Sequence, residues 1–383
     1  MEMKRVLFIM PDLPGGGAEK VLIDILRHWD YERCAVTLLL ELATGVYVKD
    51  VPAQVELKVL PARVRAFRKA SRMFGKGALS GICEDIFKRG VRGFAGSGYD
   101  ATISFMEGPA VKLHSFLTDK ARRNLSWVHI DMTQKHWSEA YFSGLEDERA
   151  CYSAMDEVVF VSEQAKRGFE SIFGNTGGEH SVIYNLIDAE QIRRQAGAVS
   201  KTNAAGRPFI ISMAGRLNRQ KRYDRALEAA AILQGRGCDF ELRIAGDGEL
   251  LPEMKELAAT LGIAEKIKFL GFRKPAYADM AAGDVFLNSS EAEGYPLTLC
   301  EALCLGLPVV ATDVSGAREI LGDNEYGIVV PQSPEAIADA LMALYGNPTE
   351  LERLGAQALL RSESFDIPGT MGKIMFAILN KTI

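Results

Sequence analysis

The chain has 383 residues, of which 48% are hydrophobic and 25% charged, and its formal net charge is −5. These values are ordinary for globular proteins, and the length fits two domains of roughly 190 residues each. A negatively charged chain gives no general reason to expect nucleic acid as a partner. No apolar run approaches the ~20 residues of a membrane span, and neither a signal peptide nor a metal-type cysteine spacing is visible. We therefore expect a cytoplasmic protein, at most peripheral to a membrane.

Short apolar runs alternate with helical patterns along the chain, which is typical of parallel sheets covered by helices. The first series of predicted strands is Arg5–Met10, Ala35–Leu42, Val55–Leu60, Asp100–Phe105, Leu125–Ile130, Glu157–Ser162 and Ser181–Asn185. The second series is Phe209–Ala214, Phe240–Ala245, Lys266–Leu270, Val285–Asn288, Pro308–Thr312 and Gly327–Pro331. The pattern predicts two doubly wound α/β domains, 1–190 and 208–365, joined by a linker, 191–207, and followed by a C-terminal helix within 366–383.

A glycine run follows the first predicted strand. Gly15, Gly16 and Gly17 open a helix, where glycine allows close approach of a ligand and the helix N-terminus favours negative charge. The third glycine of the dinucleotide fingerprint is missing at its place, which disfavours an oxidoreductase. The alternative is that the run only turns the chain.

Two cationic residues follow the predicted strand Phe209–Ala214. Arg216 and Lys221 would reach the carboxyl edge of the sheet and suit a diphosphate, because arginine binds oxygens as a fork and lysine acts as a point charge. The alternative is a solvated basic loop, since Arg219 and Arg222 lie in the same stretch. We find no Asp-x-Asp at a strand end and no histidine pair at ligand spacing, so these cations would have to neutralise a leaving diphosphate.

Two glutamates eight residues apart, Glu293 and Glu301, flank a predicted helix start. Pro296 suits the first turn and leaves the backbone N–H groups of Leu297 and Thr298 available to an anion. A phosphate site between two carboxylates suggests a sugar nucleotide, with the carboxylates on hydroxyl groups. The alternative is an ordinary helix start with two surface acids.

Two polar residues lie at carboxyl ends of strands in the first half. His129 follows an apolar run, and Glu107 follows another. Doubly wound sheets place their ligands at this edge. Each residue could instead be a structural hydrogen-bonding group.

Residues 63–92 are strongly basic. Nine lysines and arginines against two acidic residues give this segment a charge of +7, with apolar residues interleaved at helical spacing. Such a surface suits an anionic membrane or a diphosphate-bearing acceptor. The alternative is a solvated helix pair whose apolar side faces the core.

Taken together, these residues resemble retaining glycosyltransferases of family 4. The resemblance rests on segments across nearly the whole chain, and it is weak from Ala43 to Ser97: Gly15–Glu19, Val182–Asp188, Ala214–Lys221, Leu242–Gly248, Lys268–Phe272, Ser290–Ala302, Leu307–Thr312 and Gly327–Pro331. It implies the GT-B fold, in which two Rossmann-like domains face each other across a cleft. It also implies a nucleotide-diphospho-sugar donor, with a UDP-sugar favoured, and no required cofactor or metal.

The resemblance implies a role for each matching residue. Arg216 and Lys221 would neutralise the diphosphate, Glu293 would lie beside the donor sugar, and Glu301 would hold the ribose hydroxyls. His129 would contact the sugar near the reacting carbon. Gly16 and Gly17 would approach the donor or the acceptor from the opposite domain, and Phe272 and Arg273 would line the nucleobase pocket. The phosphate oxygens would be bound by the backbone around Gly294, Tyr295, Leu297 and Thr298.

The acceptor is indicated by one departure from the family pattern, at Pro296-Leu297. Pro296-Leu297, with Tyr184-Asn185, resembles bacterial enzymes that build surface polysaccharides or lipid-linked oligosaccharides. With the basic segment 63–92, this favours a polyprenyl-diphosphate-linked glycan at the cytoplasmic membrane face. A nucleotide-sugar epimerase of the same fold and a non-catalytic sugar-nucleotide-binding protein are the alternatives.

Overall fold

The chain forms two compact units. A computed structural model describes residues 3–73, 78–198 and 206–379. The first unit comprises Met1–Leu186 together with Pro368–Ile383, and the second comprises Ile187–Ile367. Each unit has its own sheet and its own hydrophobic core.

The first unit is built on a parallel sheet. Within the described residues the sheet has seven strands in the order β3-β2-β1-β4-β5-β6-β7. The strands are β1 (Lys4–Met10), β2 (Cys34–Leu40), β3 (Glu56–Val59), β4 (Tyr99–Ser104), β5 (Ala121–Val128), β6 (Glu157–Phe160) and β7 (Glu179–Val182). The central strand β1 is buried from Val6 to Met10, as expected where helices cover both faces.

Helices connect these strands. They are α1 (Gly17–Arg27), α2 (Ala62–Met73), α3 (Ala78–Ala95), α4 (Pro109–His114), α5 (Leu145–Ser153) and α6 (Glu163–Phe173). Helix α1 begins at a glycine cap and turns an apolar face, Val21 to Leu26, toward the core. Because the sheet order steps from β1 to β4, the strand ends of β1, β4 and β5 are neighbours.

The second unit repeats this architecture. Its sheet has six parallel strands among the described residues, in the order β10-β9-β8-β11-β12-β13. They are β8 (Phe209–Ala214), β9 (Phe240–Ala245), β10 (Ile267–Gly271), β11 (Val285–Asn288), β12 (Val309–Thr312) and β13 (Ile328–Val330). The direction of winding reverses between β8 and β11, and such a switch point is where doubly wound sheets bind their ligands.

The helices of the second unit complete the chain. They are α7 (Ala189–Ala196), α8 (Tyr223–Gly235), α9 (Leu251–Thr260), α10 (Tyr277–Ala281), α11 (Leu297–Cys304), α12 (Ala317–Leu321), α13 (Pro334–Leu344) and α14 (Pro348–Ser362). The last helix, α15 (Ile367–Leu379), belongs to the first unit from Pro368 onward. There Arg123 Nε of β5 donates to the carbonyl of Ala377 at 2.8 Å.

The structure corrects the predicted linker. Residues 191–196 are helical rather than linking, because Asp188 caps α7 by accepting from the Gln191 backbone N–H at 2.8 Å. The division between the units falls after Leu186 instead of after residue 190. Residues 199–205 of the predicted linker lie outside the described part of the chain.

The basic segment forms the hairpin of α2 and α3, in which Ser71 Oγ and Ser80 Oγ lie 3.0 Å apart. Several of its cations are used within the protein. Arg68 pairs with Glu41, Arg65 donates to the carbonyl of Leu60, and Arg92 binds Asp119 through both terminal nitrogens. The exposed cations are Arg63, Lys69, Lys88 and Arg89, and the exposed large apolar residues are Phe67, Met73, Leu79 and Ile82. The side chain of Arg72 and the whole of Phe74 and Lys76 lie outside the described residues.

All six cysteines are free thiols. Five of them are buried: Cys34, Cys151, Cys238, Cys300 and Cys304. Cys83 on α3 is half-buried. Among the residues that the structure describes, no helix combines the length and apolarity that a membrane crossing requires.

Candidate active site

The loop after β8 carries the predicted cations. Arg216 is exposed, and Lys221 ends a short 3-10 helix, Arg219–Lys221. Asn218 caps this helix by accepting from the Lys221 N–H at 3.1 Å. Tyr223 OH donates to the Gly215 carbonyl at 3.1 Å, which fixes the start of the same loop. These contacts give the loop a defined conformation.

Lys221 and Glu293 form an ion pair. Lys221 Nζ lies 2.6 Å from Glu293 Oε1, and the side chains are 20% and 11% exposed. Ser290 Oγ donates to the same carboxylate oxygen at 2.8 Å. The structure thus brings together two residues that are 72 positions apart.

Further contacts hold the β8 and β11 loops together. Gln220 Nε2 donates to the carbonyl of Ala292 at 2.7 Å, and the N–H of Glu291 donates to the carbonyl of Gln220 at 2.9 Å. Ser289 Oγ donates to the carbonyls of Lys221 and Arg222 at 2.8 and 2.9 Å. The Lys221–Glu293 pair is therefore supported by neutral hydrogen bonds on both sides.

Sequence reasoning missed three of these supporting residues: Gln220, Arg225 and Ser290. Arg225 is only 5% exposed and donates to the Ser289 carbonyl at 2.9 Å. Burial lowers the pKa of its guanidinium. The detectable signal was a charged residue on the apolar face of α8, next to Ala226 and Leu227. Gln220 and Ser290 gave no comparable signal.

Helix α11 follows the Glu293 loop. It begins at Leu297, after Pro296 in an extended conformation with φ −68° and ψ 103°. The N–H groups in the first turn of a helix have no partner within the helix, so those of Leu297 and Thr298 are the donors expected for an anion. Gly294 and Tyr295 are buried, and Thr298 Oγ1 is buried with no hydrogen-bond partner in the described structure. The predicted helix is confirmed with its end one residue later.

A glycine shapes the approach to this helix. Gly316 has φ +78°, and a Cβ there would lie 2.7 Å from the Gly294 carbonyl oxygen and 2.9 Å from Tyr295 Cα. Only glycine fits that close approach without displacing the backbone before α11.

Glu301 lies inside α11 and is 7% exposed. It accepts from Tyr277 OH on α10 at 3.4 Å, which connects it to the segment after β10. In that segment Phe272 is 53% exposed, and Arg273 Nε lies 3.3 Å from Asp279 Oδ2. The contacts that tie Lys221 to Glu293 do not extend to Phe272 or Arg273.

In the first unit, Gly16 is the N-cap of α1 and Gly17 is its exposed first residue. A Cβ on Gly16 would lie 2.4 Å from Glu19 Oε2. A larger residue here would have to displace the Glu19 carboxylate, which lies over the helix start.

His129 directly follows β5, which ends two residues earlier than predicted. Burial lowers the pKa of its imidazole to about 3, so the ring is neutral at physiological pH. Its Nε2 is buried and has no hydrogen-bond partner among the described residues, while its backbone N–H donates to Glu107 Oε2 at 3.0 Å. Glu107 is 3% exposed, and burial raises the pKa of its carboxyl group.

No group of three or more His, Cys, Asp or Glu side chains in a metal-binding arrangement occurs within residues 3–73, 78–198 and 206–379.

Comparison with known proteins finds sequence similarity that includes most of the second unit. Residues 198–361 match the family model described as glycosyl transferases group 1. The chain is 33% identical, over 187 residues, to a Campylobacter jejuni N-acetylgalactosaminyltransferase named for a diphospho-undecaprenol substrate. It is 31% identical, over 253 residues, to the putative glycosyltransferase EpsD of Bacillus subtilis. The matches cover 48% and 64% of this chain but only 49% and 62% of those two relatives.

Solved structures share the whole architecture. HepE of Anabaena, crystallised with UDP and glucose, matches with a TM-score of 0.73 at 21% sequence identity. The match covers 97% of this chain and 98% of HepE. The chain therefore has the GT-B fold, and the sequence family that it matches is that of the group 1 glycosyl transferases.

Proposed function

We propose that this protein is a retaining, metal-independent glycosyltransferase. It moves a sugar from a nucleotide-diphospho-sugar, with a UDP-sugar as the favoured donor, to a sugar hydroxyl of a growing polyprenyl-diphosphate-linked glycan. The observation that carries this proposal is the Lys221–Glu293 pair, 2.6 Å long, at the switch point of the second sheet and just before the N-terminus of α11. A lysine, a carboxylate and free helix N–H groups are the groups that a sugar diphosphate requires.

Electrostatic stabilisation of the leaving group is the main catalytic contribution in this proposal. As the bond between the sugar and the diphosphate breaks, negative charge develops on the phosphate. Lys221 and the N–H groups of Leu297 and Thr298 would stabilise that charge from positions that protein contacts fix, and exposed Arg216 would supply a second cation. The contacts of Ser290 and Gln220 supply this fixation.

The two glutamates would bind different hydroxyl groups. Glu293, whose Oε1 is held by Lys221 and Ser290, would bind a hydroxyl group of the donor sugar. Glu301 would hold the ribose, and exposed Phe272 with Arg273 would line the nucleobase pocket. His129, neutral at physiological pH, would contact the donor sugar as a hydrogen-bonding group rather than as a cation. Gly16 and Gly17 would let the backbone approach the substrate.

The relatives support the choice of substrates. HepE binds UDP and glucose, which favours a UDP-sugar here. The name of the Campylobacter enzyme specifies a diphospho-undecaprenol-linked glycan. A lipid-linked acceptor would bring the protein to the anionic membrane surface, and the basic segment 63–92 is the part of the chain suited to that contact.

Release of nucleoside diphosphate tests the proposal. UDP- and GDP-sugars would be assayed in EDTA, with and without a bacterial membrane lipid extract, and NMR of the product would give its anomeric configuration. We expect release from a UDP-sugar that rises with the extract, at a rate that EDTA leaves unchanged. Interconversion of donors without release of nucleoside diphosphate would instead identify an epimerase. A nucleotide that raises the melting temperature without any turnover would identify a binding protein.

A further inference from the structure

Two buried carboxylates hold one loop of the first unit. The loop runs from His129, after β5, to Ser138. Glu148, fully buried on α5, accepts from Ser138 Oγ at 2.6 Å and lies 2.8 Å from His136 Nε2. Burial raises the pKa of the Glu148 carboxyl group. Two side chains of this loop, His136 and Ser138, are thus held by the same buried carboxyl group.

Glu107 links this loop to the edge of the sheet. Its Oε2 accepts from the backbone N–H of His129 at 3.0 Å, and its Oε1 accepts from Trp137 Nε1 at 2.9 Å. Both oxygens of a 3% exposed carboxylate are therefore occupied by protein donors. Glu107 is suited to positioning other residues rather than to touching a substrate.

Trp137 is the residue that this arrangement leaves available. It is half-buried, whereas Trp29 and Trp127 are 5% and 2% exposed. Its ring is confined by Gly108, where a Cβ would lie 3.2 Å from Cη2 and Cζ3, and by Tyr141, whose ring centroid is 5.8 Å away. An aromatic plane fixed in this way loses little side-chain entropy when a ligand packs on it.

We propose that Trp137 is an acceptor-binding residue whose indole ring packs against a pyranose ring, and that Glu107 positions it next to His129. The inference rests on the proposed function, because it assigns the acceptor side of the same reaction. The apolar C–H face of a pyranose matches an aromatic face, and the one carboxylate that holds both residues fixes their spacing.

Kinetics with the membrane lipid extract would separate this role from donor binding. Trp137→Ala should raise the apparent KM for extract about tenfold, while release of nucleoside diphosphate by hydrolysis without acceptor stays within about twofold of wild type. Trp137→Phe, which keeps an aromatic plane, should raise that KM less than about threefold. Phe376→Ala, at a more exposed aromatic residue of the first unit, is the control and should leave both values unchanged.

The role of Glu107 is tested by a double-mutant cycle. If Glu107 acts through Trp137, Glu107→Gln should raise the acceptor KM in wild type by a larger factor than in Trp137→Phe. Equal factors in both backgrounds would overturn the positioning role. Melting temperatures would show that each variant is folded.

Tryptophan emission gives a readout of binding that does not need turnover. Methyl α-glycosides of glucose, galactose and their N-acetylamino forms would be titrated into the whole protein, and the emission of half-buried Trp137 should change. Trp137→Phe should abolish the change and Phe376→Ala should preserve it.

The inference is overturned if no glycoside changes the emission, or if Trp137→Ala reduces hydrolysis and transfer equally. If the wild-type protein consumes no donor and binds no nucleotide, the proposed function itself has failed, and this inference fails with it.

Discussion

At the scale of single residues, the Lys221–Glu293 ion pair is costly to bury. Both side chains are largely buried, and bringing two charges out of water costs several kcal/mol that a single contact does not reliably recover. Such a pair is better explained by ligand binding than by stability. A bound diphosphate would compete with Glu293 for Lys221 and would leave the carboxylate freer to accept from a sugar hydroxyl.

Lys221→Ala should therefore lower the rate of sugar transfer by about two orders of magnitude, since one charged contact of ~2–3 kcal/mol to the transition state is lost. The measurement is kcat for release of nucleoside diphosphate at saturating donor. Arg219→Ala removes a neighbouring exposed cation and should leave kcat unchanged. Transfer near the wild-type rate in Lys221→Ala would contradict the assignment.

His114 makes stability depend on pH. It is fully buried between Ser104 Oγ at 3.1 Å and Asn124 Oδ1 at 3.0 Å, and burial lowers its pKa to about 4. An unfolded histidine takes up a proton near pH 6.5, so between about pH 6.5 and 4 the unfolded chain binds more protons. The free energy of unfolding must therefore fall as the pH falls through this window.

Urea unfolding at pH 7.5 and pH 5 would measure this effect. We expect His114 to contribute a loss of about 2 kcal/mol at pH 5 relative to pH 7.5. His114→Gln should remove that part of the difference, whereas His28→Gln, at a half-buried histidine, should keep it. An unchanged pH dependence in His114→Gln would show that the ring is protonated in the folded state.

At the scale of elements, the approach to α11 depends on Gly316. Alanine at this position would combine an unfavourable positive φ with a clash at 2.7 Å against the Gly294 carbonyl. Gly346 offers a matched control, because it has φ +71° and no atom within 4 Å of an added Cβ. The two substitutions share the strain of the left-handed conformation, and only one displaces the backbone before the helix.

We expect both variants to lose about 1 kcal/mol of unfolding free energy from backbone strain. Gly316→Ala should lose more, and its affinity for UDP should fall at least about tenfold, because the N–H groups at the start of α11 move. Calorimetric titration with UDP would measure the affinity. Equal UDP affinities in the two variants would exclude this role for the Gly294–Leu297 turn.

Most elements could be predicted from the sequence because their apolar runs are buried on both faces of a sheet. The exceptions have identifiable causes. Strand β5 begins at Ala121, four residues before its apolar run, because Arg123 is satisfied in the sheet by Glu157 at 2.5 Å. Helix α7 is short and polar, and only its cap at Asp188 and the end at Gly197 indicated it.

The candidate site was partly predictable for the same physical reason. Lys221 and Glu293 follow recognisable strands, and Glu301 lies in the helix after the second of them, so their shared edge follows from the order of strands. The contacts of Gln220, Ser290 and Arg225 depend on how two loops about 70 residues apart meet, and no local pattern records that. The assignment of each candidate site residue to a ligand stays a prediction.

At the scale of the whole molecule, charge is distributed unevenly. The chain carries −5 overall, yet residues 63–92 carry +7. In the folded hairpin, only some of the lysines and arginines of this segment are available to a membrane. Arg68 is paired with Glu41 and Arg65 is bonded to the chain, so exposed Arg63 and Lys69 are the better test of membrane binding.

Flotation with phosphatidylglycerol vesicles would measure that binding. Replacing Arg63 and Lys69 by glutamine should weaken binding about 30-fold, from about 1 kcal/mol for each charge. Ile82→Asp should also weaken it, because Ile82 is 54% exposed on the same hairpin. Leu360→Asp, equally exposed on α14, is the control and should bind like wild type. Binding that none of the hairpin substitutions weakens, or that does not depend on the anionic lipid, would rule out the hairpin as the membrane contact.

The positions of the thiols allow the hairpin to be labelled, so that its contact with a membrane can be measured. Burial raises the pKa of Cys34 to about 12 and of Cys238 to about 11, and Cys300 is shielded in the same way. Alkylation requires an accessible thiolate, so a maleimide dye at neutral pH should attach to Cys83 on α3 in preference to the five buried cysteines. The native chain thus carries one addressable attachment point on its most basic surface, and an environment-sensitive fluorophore there would report contact with a bilayer without any engineered cysteine.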